Sequence, residues 1–324
     1  MTGFNLASLA PVEVELSSLK PLALFSYGRR TDELADSVKS VGLLRPLLVM
    51  GDGEDTILLA GRRRREALLS LAWSEAPALV LPAGFPKEIA ISLALADNRE
   101  RGWNQAETAL AWRFLVEEVG SEQAAALAVH LDLAQSPKLR QWCLSASGLP
   151  EKGLDALAEG RLDLECGARL AAWTPENREA VLDLFDGLSP SKQKKRQWLD
   201  WLEDVSRREK ITPAEILASG EIRSMLAEVE RIGRPAAEEA ARKYLWSRRH
   251  PLLAELAAKR QTRLRSLNLP RAAHLELDPT FEDLKFGLEL TFSTPAEFAE
   301  LAEVVAGLRK SSEFQELLDD DHER

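Results

Sequence analysis

Thr56-Ile57-Leu58-Leu59-Ala60-Gly61-Arg62-Arg63-Arg64-Arg65 is an apolar run that ends in glycine and opens onto four arginines. The run reads as a strand and the residues after it as a helix. A strand that ends in glycine and leads into a helix presents backbone N–H groups to an anion. Glycine also allows close approach, because no Cβ stands in the way. Guanidinium forks match phosphate oxygens. The stretch predicts a strand–turn–helix unit with phosphate as its natural ligand. The same residues are also compatible with a solvated basic helix start.

On the N-terminal side, Asp32 to Val41 reads as a helix with Leu34, Val38 and Val41 on one face, ended by Gly42. Leu47 to Met50 reads as a strand and Gly51 to Asp55 as a turn, so Leu47–Met50 and Thr56–Ala60 form a hairpin. On the C-terminal side follow a helix from Arg62 to Trp73, a strand from Ala78 to Leu81 and a helix from Lys87 to Arg99. From Gln105 onward the pattern is helical, with breaks at Gly120, Pro137, Gly148-Leu149-Pro150, Gly160 and Pro175. Gly187-Leu188-Ser189-Pro190-Ser191 reads as a linker, and a second helical block runs from about Lys192 to about Leu267. His274–Leu277 and Phe286–Phe292 alternate as half-buried strands, and a helix from Pro295 to Leu308 completes a β-β-α module. The last residues, Asp319 to Arg324, are expected to fray.

The composition is that of a soluble globular chain of two or three domains: 324 residues, 45% hydrophobic and 29% charged. No signal peptide or membrane span is expected, and two cysteines without metal-like spacing argue against a disulfide framework or a zinc site. The expected location is the cytoplasm, on the nucleoid. The net charge of −10 hides a division: Glu276 to Arg324 holds fourteen Asp/Glu and four Lys/Arg, while the remainder balances at 38 of each. Ala241 to Arg271 holds nine Lys/Arg and only Glu255 as an acid. A basic segment beside an acidic tail suits a nucleic-acid binder and equally suits intramolecular pairing.

Four stretches occur in order within the first 110 residues: Tyr27-Gly28-Arg29-Arg30, Leu34 to Val49, Gly61 to Ala67, and Ala94 to Glu107. Together they resemble the N-terminal domain of the ParB partition-protein family, in the ParB/sulfiredoxin superfamily. That family carries S-I-x3-G-x-L/I-Q-P, G-E-R-R-x-R-A and E-N-x-Q-R-x-x-L-N-P-x-E. The resemblance covers roughly residues 10 to 110. It implies binding of CTP with magnesium. Gly61, Arg63 and Arg64 would hold the phosphates, with Ser37, Arg30 and Arg101 at matching nucleotide-contacting positions. Asp97 and Asn98 match the Glu-Asn pair that meets magnesium, an ion that favours oxygen ligands. This chain departs from the pattern where Arg62 replaces a glutamate, Glu66 an arginine and Arg45 a glutamine. The missing glutamate bears on hydrolysis more than on binding, so any CTP hydrolysis is expected to be weak.

Sulfiredoxin chemistry needs a cysteine after the motif glycine, and that position is Arg62. A phosphoryl-transfer or nuclease relative would use Glu66, Asp97 and Glu100 as its acids. A nucleotide-free DNA-binding adaptor is the third reading.

Leu127-Ala128, then Leu131-Asp132-Leu133, match the first helix and turn of a helix-turn-helix, with Gln135 to Ser147 as the recognition helix. Gln135, Ser136, Lys138 and Gln141 would face base edges and Arg140 a phosphate. Lys192, Lys194, Lys195 and Arg196, or the stretch from Arg242 to Arg271, would add the positive charge that DNA binding needs. Trp198 and Trp201 read as core residues. The terminal module is marginal alone, and a second copy would complete it. The fold class is therefore α+β: a ParB/sulfiredoxin-like α/β domain (1–104), a helical helix-turn-helix region (105–188), a basic helical segment (189–270) and a β-β-α association module with an acidic tail (271–324). The expected partners are DNA, a second copy of the chain and a partition ATPase, with no membrane.

Overall fold

The computed structural model describes residues 9–22, 27, 31–51, 56–99, 102–133, 136–277 and 286–316, with backbone alone at 98, 99, 277 and 286. The chain divides into two units, Met1–Ser206 with Lys210–Glu238, and Arg207–Glu209 with Glu239–Arg324.

In the first unit, β1 (Val12–Glu15), β2 (Lys20–Pro21), β3 (Leu47–Met50), β4 (Ile57–Ala60) and β5 (Glu75–Leu81) form a sheet in the order β1-β5-β3-β4-β2. Helices α1 (Asp32–Val41), α2 (Arg62–Ser70) and α3 (Lys87–Arg99) connect and cover it. Strand β3 is apolar at every position because both its faces are covered. Leu47 and Val49 join Leu16, Leu19, Val38 and Leu68 in one core. Leu48 points the other way, into a second core with Leu59, Ala60, Leu81, Ala90 and Ala94. Residues from α1 and α2 line the first core and residues from α3 the second, which gives a layered α/β/α arrangement.

The expected pairing of β3 with β4 is present, antiparallel, with Met50 opposite Ile57 and a register shift between Leu48 and Val49. Residues 52–55 of the expected turn lie outside the described residues. Helices α1 and α3 have the expected bounds. Three features differ from the sequence reading. Val41 is 60% exposed, so the buried stripe of α1 narrows to Val38 with Leu34 half-buried. Helix α2 stops at Ser70, because Ala72 turns left-handed (φ 61°) and the Trp73 N–H returns to the Leu68 carbonyl at 3.0 Å. Strand β5 begins three residues before Ala78, because it is extended by an edge strand, β1, which pairs antiparallel from Val12↔Ala78 to Glu15↔Glu75.

The helices that follow in this unit are α4 (Gln105–Val119), α5 (Ser121–His130), α6 (Pro137–Ala146), α7 (Glu151–Ala158), α8 (Leu164–Ala171), α9 (Pro175–Leu188), α10 (Lys192–Glu209), α11 (Pro213–Leu217), α12 (Gly220–Ala227) and α13 (Val229–Ile232). Helix α6 packs mainly against α4 and α8. Gly167 lets α8 come close to its neighbours: a Cβ there would stand 3.2 Å from Leu157 Cδ2 and 3.4 Å from Ala146 Cβ. Trp112 and Trp198 are wholly buried and Trp201 nearly so, which makes them packing residues.

The second unit holds most of α14 (Arg234–Arg249), then α15 (Pro251–Ser266), β6 (Ala273–Leu277), β7 (Phe286–Leu290) and α16 (Pro295–Leu308). Strands β6 and β7 pair antiparallel, with Leu275 opposite Leu288. Helix α16 buries Leu301 and Leu308, while Phe298 is half-exposed against Phe292 at 4.9 Å between ring centres. Strand β7 ends at Leu290, two residues before the expected Phe292. The last described residue of the acidic tail is Glu316.

Candidate functional site

At the end of β4 the backbone enters the left-handed region at Gly61 (φ 101°) and becomes the start of α2. A Cβ at this position would sit 2.7 Å from Leu47 Cδ2, a distance real Cβ atoms do not reach, so glycine is required twice over. No side chain caps α2 and no acid lies in its first turn. The positive end of the helix therefore coincides with four arginines, an arrangement that an anion relieves.

The four arginines point to different tasks. Arg62 Nε donates to Glu66 Oε1 at 2.7 Å. Two of the three residues that depart from the family's pattern thus hold each other. Arg64 Nη1 donates to the Pro46 carbonyl at 2.6 Å and the Arg45 carbonyl at 3.1 Å, and its Nη2 to Asp97 Oδ2 at 2.8 Å. Arg65 Nε donates to the Leu16 carbonyl at 2.7 Å, which ties α2 to the loop after β1. Arg63 is half-buried at the first turn. Ser37 is exposed on α1, which packs against α2, and its carbonyl accepts the Ser40 hydroxyl at 2.9 Å. Arg30 and Arg101, like Glu100, lie outside the described residues, as does the side chain of Asn98. The structure thus brings together Gly61, Arg64 and Asp97.

The uncapped, basic first turn of α2 fits a polyphosphate. Among the described residues no three His, Cys, Asp or Glu side chains are grouped as metal ligands. Asp97 is a single carboxylate, and magnesium is commonly held by one or two carboxylates together with substrate phosphates. The residues therefore suit a metal ion that arrives with its phosphates.

The end of the fourth motif forms a joint with Tyr27. Asn104 caps α4 by accepting the Glu107 N–H at 2.9 Å, and Glu107 Oε2 accepts the Asn104 N–H at 3.1 Å. Glu107 Oε1 also accepts the Tyr27 N–H at 3.2 Å, and Asn104 Nδ2 donates to the Tyr27 carbonyl at 2.8 Å. Glu107 is fully buried. Its spacing from Asn104 is that of a capping box, the one signal in the sequence that pointed to it. The Tyr27 hydroxyl donates to the Glu151 carbonyl at 3.3 Å, and burial, with Asp155 and Glu151 nearby, pushes its pKa up to about 12.

Trp103 Nε1 donates to the Leu131 carbonyl at 3.2 Å, at the turn between α5 and α6. In that turn Leu131 and Leu133 are buried and Asp132 is left-handed (φ 54°), in the place where glycine is common. Ser136 caps α6, its hydroxyl accepting the Leu139 N–H at 3.1 Å, so that hydroxyl has a structural task besides any contact with bases. Lys138 and Gln141 are exposed, and Lys138 Nζ stands 4.6 Å over the Trp142 ring. Arg140 is half-buried, 5.7 Å from the Trp112 ring. Gln135 lies outside the described residues.

The expected basic reserve at 192–196 is largely engaged within the protein. Lys194 pairs with Glu238, and Arg196 with Asp163 at 2.8 Å and Glu165 at 3.0 Å. Lys195 is buried, donates to the Arg161 carbonyl, and is held below its usual pKa by desolvation. In the second unit Arg242 pairs with Glu239, Arg248 with Glu209 and Lys259 with Glu255.

Residues 3–99 match the ParB N-terminal domain family. The chain is 33% identical to a chromosome-partitioning protein, Spo0J, of Thermus thermophilus over 181 residues, 55% of this chain and 64% of that protein. It is 30% identical to a nucleoid occlusion protein of Shouchella clausii over 176 residues, 54% of this chain and 60% of that protein. The chain thus spans less than two thirds of either relative. Among solved structures it is similar, at 18% identity, to C-terminally truncated ParB from Caulobacter crescentus. The form complexed to the centromeric parS site gives a TM-score of 0.33, over 57% of this chain and 96% of that one. The form complexed with CTP-gamma-S gives 0.25, over 55% and 99%. Residues 3–99 thus form a domain of the ParB N-terminal domain family.

Proposed function

We propose that this is a ParB-like DNA-binding protein, associated with the nucleoid, that binds CTP with magnesium and uses it to gate a clamp on DNA in partition or in regulation. The observation that carries this reading is the meeting of the Gly61 turn, Arg64 and Asp97 in one place, with Arg64 and Asp97 2.8 Å apart. Gly61, the first-turn amides of α2, Arg63 and Arg64 would hold the phosphates, with Ser37, Arg30 and Arg101 beside them. Asp97 and Asn98 would hold the metal ion. The bound group supplies the negative charge that the first turn of α2 lacks.

DNA would lie along the exposed start of α6, where Ser136, Lys138 and Gln141 face outward and Arg140 is within reach of a phosphate. Gln135 belongs to the same stretch of sequence. The β6-β7-α16 module would pair with a second copy, and a partition ATPase would act on the assembly. No helix among the described residues is long and apolar enough to cross a membrane.

A nuclease or phosphoryl-transfer enzyme on the same domain has less support, because Glu66 and Asp97 each rest on an arginine. Calorimetric titration with CTP, ATP and GTP, each with magnesium, decides between the readings. Binding of CTP alone is the expected result. Binding of none leaves a nucleotide-free adaptor, and ATP binding with transfer to a second substrate leaves a kinase.

A further inference from the structure

We propose that Arg64 is a built-in counter-cation for Asp97, so that a metal ion and a polyphosphate bind well together and poorly alone. This rests on the nucleotide reading and concerns the regulation of that site. The reading gives Arg64 to a phosphate and Asp97 to a metal ion, yet the two side chains hold each other at 2.8 Å, 15% and 31% exposed.

Without a metal ion, an anion drawn to Arg64 stands beside the Asp97 carboxylate on the same guanidinium. Without an anion, a cation on Asp97 stands beside Arg64, whose further acceptors are the carbonyls of Pro46 and Arg45. Each half-occupied state sets like charges side by side in a partly desolvated place, where charge interactions are strong. When both ligands are present, Asp97 faces positive charge and Arg64 negative charge, so both are matched. Glu66 offers no substitute carboxylate, because Arg62 holds it at 2.7 Å. The coupling is reciprocal: the factor by which metal raises polyphosphate affinity is the factor by which polyphosphate raises metal affinity.

The test uses the full chain and two probes, Mn²⁺ without nucleotide, read by electron spin resonance, and inorganic tripolyphosphate without metal, read by calorimetry. Arg64→Gln is expected to raise Mn²⁺ affinity about fivefold, on the scale of an ion pair at a partly exposed site. Asp97→Asn is expected to raise metal-free tripolyphosphate affinity by a similar factor. Asp97→Asn keeps the shape of the side chain and leaves Arg64 on both carbonyls, so it serves where Arg64→Gln fails to fold, which a thermal melt identifies. Unchanged affinities in the folded variants overturn the proposal, even where the wild type binds CTP with magnesium. Both shifts together with no CTP binding uphold the counter-cation role and remove the nucleotide reading instead.

Discussion

Arg64 Nη2 lies 2.8 Å from Oδ2 of Asp97, thirty-three residues away on another helix. Nη1 of the same guanidinium holds the carbonyls of Arg45 and Pro46, which lead into β3. One side chain therefore locks three segments around the Gly61 turn: the entry to β3, the first turn of α2 and the last turn of α3. Arg64 thus joins the two positions that the proposed reading gives to phosphate and to metal.

Gly61→Ala is expected to cost about 2 kcal/mol of stability, from left-handed strain and a Cβ driven against Leu47. Urea denaturation measures it. A loss below about 0.5 kcal/mol would mean that the turn relaxes freely.

Glu107→Ala is expected to cost about 2 kcal/mol, because the partly buried Tyr27 and Asn104 N–H groups lose their acceptors. Glu107→Gln keeps the volume and one acceptor, and should recover part of that loss in the same denaturation series. Full recovery in Glu107→Gln would place the effect in packing, and equal losses would place it in the second acceptor.

Exchanging the charges of the i,i+4 pair, with Arg62→Glu and Glu66→Arg together, should change stability by no more than about 0.5 kcal/mol. The acid then comes first along the helix, the orientation that suits the helix dipole, so a small gain is the expected sign. Thermal melts at low and high salt read it, and the gain should shrink at high salt.

Replacing Lys138 and Arg140 with alanine should lower the slope of log affinity against log salt on duplex DNA by about 2. A slope that does not move takes α6 out of the DNA interface. Fluorescence anisotropy over a range of salt concentrations gives the slope.

Burial pushes the thiols of Cys143 and Cys166 up to about 12 from an ordinary 9.0. A raised folded pKa means that the stabilising contribution is whole below pH 9 and is lost as pH climbs towards 12. Stability should therefore fall across that window, and Cys143→Ala with Cys166→Ala should flatten that part of the profile. Both thiols should resist alkylation at pH 8 until the protein unfolds, which mass spectrometry reads directly.

The sequence made the central unit legible because its signals are local. The apolar run before Gly61, the glycine itself and the breaks at Gly42, Gly120, Pro137 and Pro175 each act within a few residues. Strands β1 and β2 escaped the reading because they are short edge strands, defined by the partners they pair with. Asn104 and Glu107 belong to a local motif, but a further donor to Glu107, the Tyr27 N–H, comes from eighty residues earlier.

By itself the sequence determined the strand–glycine–helix unit, the helical middle and the β-β-α end, since backbone preference and hydrophobic period are written residue by residue. The tertiary structure alone decided what the four arginines do. A guanidinium takes its role from the acceptors within reach, and those come from distant segments: Pro46 and Asp97 for Arg64, Leu16 for Arg65. For Arg62 the acceptor, Glu66, was already in view one turn along, and only the folded helix showed that these two of the three departures from the family's pattern are one ion pair.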